Sequence, residues 1–172
     1  MILSHRARLL LGTIGALGLA LAAPSAAAQD GTIQVSAEVQ AACSVVGGGP
    51  ALVFGIYDSS GPDTLGDTSF DIECSATTDV VVSLDGGNND NGVDRRMTNG
   101  NATDPLLTYQ LWQDSARQIK FGDSSGVFGA PTTVNVTNGA GTPVQVFGSI
   151  LTGQPVPAGL YEDIVGITLT IS

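Results

Sequence analysis

The sequence has 172 residues, of which six are basic and sixteen acidic, and its formal net charge is −10. A chain this acidic lacks the basic patch with which proteins bind nucleic acid or anionic lipid, so neither partner is expected. Its length suits one domain with a hydrophobic core.

Residues 1–28 have the layout of a secretory signal peptide. A basic region with His5, Arg6 and Arg8 precedes an uncharged apolar run, and small residues follow up to Ala28. The apolar run is shorter than the about 20 residues that a membrane-spanning helix needs. We therefore expect cleavage after Ala28, export of the chain, and no integral membrane segment in the mature protein.

The first mature segment, residues 32–40, alternates between apolar and polar side chains. Ile33, Val35, Ala37 and Val39 share one face, and polar residues occupy the other. This period of two predicts a half-buried β-strand at the chain terminus.

The two cysteines, Cys43 and Cys74, are predicted to form a disulfide, because an even count in an exported chain is typical of one. A metal site would need more ligands. A catalytic thiol would need a histidine, and the single histidine, His5, leaves with the signal peptide.

Short alternating runs follow, separated about every ten residues by Gly, Asn, Asp, Ser and Thr, and no helical period is visible. This pattern predicts an all-β protein, a sandwich or a barrel. The predicted strands after residue 40 are residues 41–46, 51–57, 68–74, 79–84, 106–112, 118–121, 132–137, 143–151 and 160–171. In the last of these, Val165, Ile167, Leu169 and Ile171 share one face.

No catalytic constellation or cofactor site is predicted. Without a histidine in the mature chain, Ser–His and Cys–His catalysis and histidine metal sites are excluded. Acid pairs such as Glu162 and Asp163 are better explained as solvated positions. Residues 85–94 could hold calcium, but they fail the EF-hand template, and a Gly/Asn/Asp turn is favoured. Trp112 and the three tyrosines could form a sugar platform, with packing in the sheets as the favoured alternative.

Several motifs occur in an order and spacing that resemble the spore coat protein U domain family, which contains the pilins of archaic (Csu-type) chaperone–usher pili. They are Ala42-Cys43-Ser44-Val45, Leu52-Val53-Phe54-Gly55-Ile56-Tyr57, Ile72-Glu73-Cys74, Val82-Ser83-Leu84-Asp85-Gly86-Gly87, Arg95-Arg96-Met97, Leu107-Thr108-Tyr109-Gln110-Leu111-Trp112-Gln113-Asp114, Phe147-Gly148-Ser149-Ile150, Gln154 and Ala158-Gly159-Leu160-Tyr161-Glu162-Asp163.

The resemblance implies an immunoglobulin-like antiparallel β-sandwich that lacks one strand, and a role in assembly rather than catalysis. It implies residues 1–28 as signal peptide, 29–41 as an N-terminal donor-strand segment and 42–172 as the pilin sandwich. A periplasmic chaperone would fill the resulting groove in transit. At the outer-membrane usher, the donor strand of a neighbouring pilin subunit would replace the chaperone, and the product would be a pilus on the cell surface.

By position, the donor side chains are Ile33, Val35, Ala37 and Val39. The resemblance implies an acceptor groove bordered by Val45 and by the last strand, with Val165, Ile167, Leu169 and Ile171. Which face of that strand lines the groove stays open. Two alternatives also stay open: a spore-coat or surface protein of the same fold that completes its own sandwich, and a small secreted ligand-binding β-module.

Overall fold

The computed structural model describes residues 32–172, and all regular secondary structure in that part of the chain is β. The eight strands are β1 (Cys43–Val46), β2 (Thr64–Cys74), β3 (Thr78–Leu84), β4 (Arg95–Met97), β5 (Leu107–Trp112), β6 (Thr132–Val136), β7 (Thr142–Ile150) and β8 (Ile167–Ile171). The predicted signal peptide lies outside the described residues. None of the described residues belongs to a helix that could cross a membrane.

The strands form two antiparallel sheets. One has the order β1-β2-β7-β5-β4 and the other the order β6-β3-β8. Alternate side chains of both sheets are buried, such as Phe70 and Ile72 in β2 and Val80 and Val82 in β3, because successive side chains of a strand point to opposite faces. The core lies between the two inner faces, and the prediction of an all-β antiparallel sandwich is confirmed.

The predicted disulfide between Cys43 and Cys74 is also confirmed, since the two sulfur atoms are bonded. The cysteines occupy facing positions of β1 and β2. Just before β1, the pairing continues through a hydrogen bond that the Ser75 N–H donates to the Ala42 carbonyl. The disulfide therefore fastens the short strand β1 to its only ladder partner among the described strands.

Some predicted strands do not form as predicted. Residues 32–40 and 51–57 belong to no strand, and of residues 160–171 only Ile167–Ile171 form one. Residues 118–121 make only isolated bridges, from Lys120 to Trp112 and from Phe121 to Ala130. A side-chain alternation shows which residues face an apolar layer, but a strand also needs a neighbour for its backbone hydrogen bonds.

Candidate functional site: a cleft beside the last strand

An open cleft of about 1230 Å³ lies between the two sheets. Residues 49–59, the first lip, form one side of it. Residues 156–165 and Ile167, the second lip, form the other. Its floor consists mainly of inward side chains from five strands: Phe70, Leu84, Met97, Leu107, Tyr109, Leu111, Val146 and Ile150. The floor of the cleft is thus part of the hydrophobic core.

The first lip is attached to the sandwich mainly by side chains and has no strand ladder; one backbone hydrogen bond runs from the Gly153 N–H to the Ser59 carbonyl. Phe54 packs against β7 at Gly148, where an added Cβ would lie 2.7 Å from ring atoms of Phe54. The same ring meets Tyr109 edge-on, with 6.1 Å between the ring centroids. At the end of the lip, the Gln154 N–H donates a 2.9 Å hydrogen bond to the Tyr57 hydroxyl oxygen. The glycine therefore makes room for an aromatic ring, and that ring holds the lip against the sheet.

The second lip has the side-chain alternation of a strand. Odd-numbered residues from Tyr161 to Leu169 are half-buried, whereas the even-numbered ones are exposed, including Ile164 with 70% exposure. Val165 and Ile167 line the cleft. The odd-numbered face of the last strand is therefore the inward one, which the sequence alone did not decide.

The backbone of the second lip is hydrogen-bonded along one edge. Glu162 exchanges two hydrogen bonds with Thr98, and the carbonyls of Ile164 and Gly166 accept from the N–H groups of Asn88 and Asp85. All three bonded positions have even numbers. No backbone hydrogen bond within the described residues engages Tyr161, Asp163 or Val165.

Because successive residues of an extended chain direct their N–H and C=O groups to opposite edges, the odd-numbered residues present theirs to the other edge. There, β8 has no neighbour among the described strands, since its sheet ends with it. An apolar cleft and an unpaired backbone edge therefore lie side by side.

Of the predicted groove-border residues, Val165 and Ile167 lie on the cleft. Leu169 and Val45 are half-buried against the core outside the cleft lining, and Ile171 is 43% exposed. β1 and β8 approach each other in this region. The opposite side of the cleft is formed by residues 49–59, which the sequence analysis did not assign to the site.

The predicted donor side chains are exposed to solvent. Ile33, Val35 and Val39 are 90%, 88% and 83% exposed, and Ala37 is exposed as well. These four apolar side chains alternate along the segment as in a half-buried strand, but they are not packed against other residues that the structure describes.

One polar bridge crosses the apolar cleft. The Tyr109 hydroxyl donates a 2.7 Å hydrogen bond to Asp163 Oδ2, and Asp163 Oδ1 accepts from the backbone N–H and the side-chain amide of Asn89. Burial, and then the hydrogen bond to Asp163, raises the pKa of Tyr109. Tyr109 therefore stays neutral and keeps its proton on the bridge.

Arg95 is a second buried polar group, and the sequence did not reveal it as one. It is 2% exposed, and its guanidinium donates to the carbonyls of Asp85, Phe121 and Leu84 at 2.8–2.9 Å. Burial lowers its pKa. The ring of Phe128 lies 5.2 Å from its Cζ atom, a cation–π distance. Arg95, the first residue of β4, thus links β4 to the last residue of β3 and to the backbone of Phe121.

Residues 85–94 form side-chain-capped turns. Asp85 Oδ1 accepts from the Gly87 N–H, and Asp90 Oδ1 accepts from the Gly92 N–H. Asn91 Oδ1 accepts from the N–H groups of residues 93 and 94. No group of His, Cys, Asp and Glu side chains among residues 32–172 is arranged to hold a metal ion. The favoured interpretation of this stretch as turns agrees with these bonds.

Trp112 and the three tyrosines do not all lie at one site. Tyr57, Tyr109 and Tyr161 line the cleft, but each hydroxyl is hydrogen-bonded within the fold. Trp112 lies outside the cleft lining, and its Nε1–H donates to Ser149 Oγ. The arrangement favours packing over the sugar-platform alternative.

Comparisons with known proteins identify a family, a relative and two solved structures. The family model described as Spore Coat Protein U domain matches residues 29–168. Protein U of Myxococcus xanthus is 35% identical over 172 aligned positions, and the match covers 92% of this chain and 93% of that protein.

Two solved structures show a lower level of similarity. One comes from a chaperone–tip adhesion subunit pre-assembly complex of the archaic chaperone–usher Csu pili of Acinetobacter baumannii. It has a TM-score of 0.49 and 20% identity, and the match covers 76% of this chain and 40% of that one. The other is described as a chaperone–tip adhesin complex in CFA/I fimbriae biogenesis. It has a TM-score of 0.46 and 15% identity, with 74% and 43% of the two chains covered.

Proposed function

The chain belongs to the Spore Coat Protein U domain family, and from that membership we propose that it is a structural subunit of a chaperone–usher surface pilus. It polymerises by donor-strand exchange, in which the N-terminal segment of one copy fills the cleft of the next. Its role is structural and not enzymatic.

The observation that carries this proposal is the unpaired edge of residues 161–167 beside the apolar cleft. A strand inserted between this edge and the first lip would gain backbone hydrogen bonds and place alternate side chains on the floor. Residues 32–40 have the required alternation, and their apolar side chains are exposed. Burying Ile33, Val35 and Val39 would stabilise the assembly by about 1.5–3 kcal/mol each.

The same edge requires a partner before assembly. An open apolar edge is a template for aggregation and has to be covered. In this proposal a periplasmic chaperone lends a strand during transit, and the neighbouring subunit replaces it at the outer-membrane usher. The protein therefore passes through the periplasm and ends at the cell surface.

The test compares two neighbouring substitutions in the mature chain, residues 29–172, after oxidative refolding. Val35→Asp places a charge on the apolar face, and Gln34→Asp places one on the polar face. We expect light scattering to show concentration-dependent oligomers for the wild type and for Gln34→Asp. Val35→Asp is expected to lose them, because a carboxylate cannot enter an apolar site without a partner.

The alternatives predict other results. A coat or surface protein that completes its own sandwich would be a monomer that Val35→Asp destabilises. A ligand-binding module would be a monomer whose stability is independent of residue 35. Either result would contradict polymerisation through residues 32–40.

A further inference from the structure

A row of four side chains, the outer row, crosses the face of the larger sheet that is turned away from the core. Each member is paired with the next, and the order across the sheet is Asp67 (β2), Phe147 (β7), Trp112 (β5) and Lys120. One chain neighbour of each member is buried, at positions 66, 146, 111 and 121. Because successive side chains of a strand point to opposite faces, the outer row points away from the core and the cleft.

The two ends of the outer row carry opposite charges. Asp67 is exposed at one end. At the other end, Lys120 is the only exposed basic side chain among residues 32–172, because the three arginines there are buried or half-buried. With strands about 4.8 Å apart, the three steps of the row set the two charged residues roughly 14 Å apart.

The middle of the outer row is aromatic, and its rings are held in place. Phe147 and Trp112 are both half-buried. The Trp112 Nε1–H donates a 2.9 Å hydrogen bond to Ser149 Oγ, and Lys120 Nζ lies 6.0 Å from the centroid of the Trp112 ring. The Cζ atom of Arg117 lies 5.9 Å from the centroid of the Phe147 ring. Side chains that are already ordered lose little entropy when a partner covers them.

The outer row is complementary to its own reverse. A second copy, turned by half a turn about an axis parallel to the strands and laid on this face, presents the same row in the opposite order. Asp67 of each copy then meets Lys120 of the other, and the aromatic middles meet between them. A two-fold interface requires this kind of self-complementarity. An anionic polymer would not fit equally well, because the rest of the chain is strongly acidic and would repel it.

We propose that the outer row is a lateral contact between two copies of this chain in neighbouring fibres. The contact rests on the proposed function, because four side chains bury too little area to hold two single subunits together. Along two fibres the same weak contact repeats, and the repeats act together. The outer row lies on the opposite side of the sheet from the cleft, so one subunit can bind a donor segment and a lateral neighbour at the same time.

A charge exchange in the assembled mature chain tests the pairing. Asp67→Lys and Lys120→Asp each set like charges against each other, whereas the variant with both substitutions restores opposite charges. We expect each single substitution to raise the protein concentration at which fibres form bundles roughly tenfold, and the double substitution to return it to within about threefold of the wild type. Low-speed sedimentation and negative-stain electron microscopy measure bundles, and high-speed sedimentation measures all fibres.

Glu73→Lys is the matched control. Glu73 is exposed on the same face of β2 but lies outside the outer row, and its reversal changes the net charge as much as Asp67→Lys does. If net charge alone governed bundling, both substitutions would favour it, because both reduce the repulsion between acidic chains. We expect Glu73→Lys to form bundles at the wild-type concentration or below it, and Asp67→Lys to resist bundling.

Three results would overturn the proposal and leave the proposed function standing, because fibres would still have formed. They are wild-type fibres that stay single, equal effects of Asp67→Lys and Glu73→Lys, and a double variant that forms bundles no better than the single ones. A wild-type chain that forms no fibres would overturn both the lateral contact and the proposed function.

Discussion

At the scale of single residues, Arg95 shows how the fold keeps a charge in its interior. Its three hydrogen-bond partners are main-chain carbonyls. These carbonyls belong to the end of β3 and to the loops that follow β3 and β5, where strand pairing does not engage them. The guanidinium thus replaces the missing pairing, and its planar set of donors suits three acceptors at once.

Replacing Arg95 by methionine should therefore lower the free energy of unfolding by about 3 kcal/mol or more, because buried carbonyls lose their donors. The matched control is Arg96→Met. Arg96 is half-buried and donates to the carbonyls of Asn89 and Asp90. Its loss should cost about 1 kcal/mol. Urea unfolding measures both, and equal losses would contradict the account of Arg95.

The raised pKa of Tyr109 predicts that the protein loses stability in alkaline solution. Burial, and then Asp163, raises its folded-state pKa above the ordinary value of 10.0. Below pH 10 the hydroxyl is neutral in both states. As the pH rises above 10, the unfolded chain releases the Tyr109 proton before the folded chain does. The stability that Tyr109 contributes therefore decreases and is lost as the pH approaches the folded-state pKa of Tyr109.

Unfolding measured between pH 8 and pH 11 should consequently show a weaker decline for Tyr109→Phe than for the wild type. Phenylalanine keeps the ring in the core but has no proton to release. A contribution from Tyr161, whose pKa is also raised by desolvation, remains in both proteins. Parallel declines in the two proteins would show that Tyr109 does not control this pH dependence.

At the scale of elements, alternation predicted several strands closely, whereas β2 begins at Thr64, four residues before the predicted range 68–74. The predicted ranges 79–84, 106–112 and 143–151 differ from β3, β5 and β7 by one residue at each end or less. β4 was not predicted as a strand, because the inward side chain at its start is an arginine. Residues 160–166 alternate like a strand, yet they lack a ladder partner at one edge.

The candidate site could be predicted only in part. Val165 and Ile167 line the cleft. Alternation placed their side chains on one face of the last strand, but it did not decide whether that face points inward. The first lip was recognised as a family motif without a role in the site. Its position depends on Phe54 meeting Gly148 of β7, a contact between residues far apart in the sequence.

The inward and outward faces of the second lip predict different effects on assembly. Val165 lines the cleft and Ile164 is 70% exposed, although both are branched and apolar. If the proposed donor segment occupies the cleft, Val165→Asp should abolish oligomers, because the charge would face that segment, whereas Ile164→Asp should leave them intact. Light scattering measures the oligomers, and far-UV circular dichroism checks that both variants fold. Oligomers retained by a folded Val165→Asp variant would contradict the assignment of the faces.

At the scale of the whole molecule, the two sheets formed by residues 32–172 are unequal, with five strands in one and three in the other. The smaller sheet ends at β8, and the cleft lies beside that end. The outer backbone edge there has no strand partner among the described residues, although the side chains on the cleft floor are buried. In the proposed function a donated strand would supply the missing hydrogen bonds, and the stability of each subunit would then depend on assembly.

The central claim is that a strand donated to the cleft stabilises the sandwich. Thermal unfolding of residues 42–172 alone tests it most directly. The oxidised domain is refolded alone, with a peptide of residues 29–40, and with the same peptide carrying Val35→Asp. The account predicts that the native peptide rescues folding or raises the Tm strongly, and that the substituted peptide does neither. A truncated domain that is equally stable without peptide would contradict it.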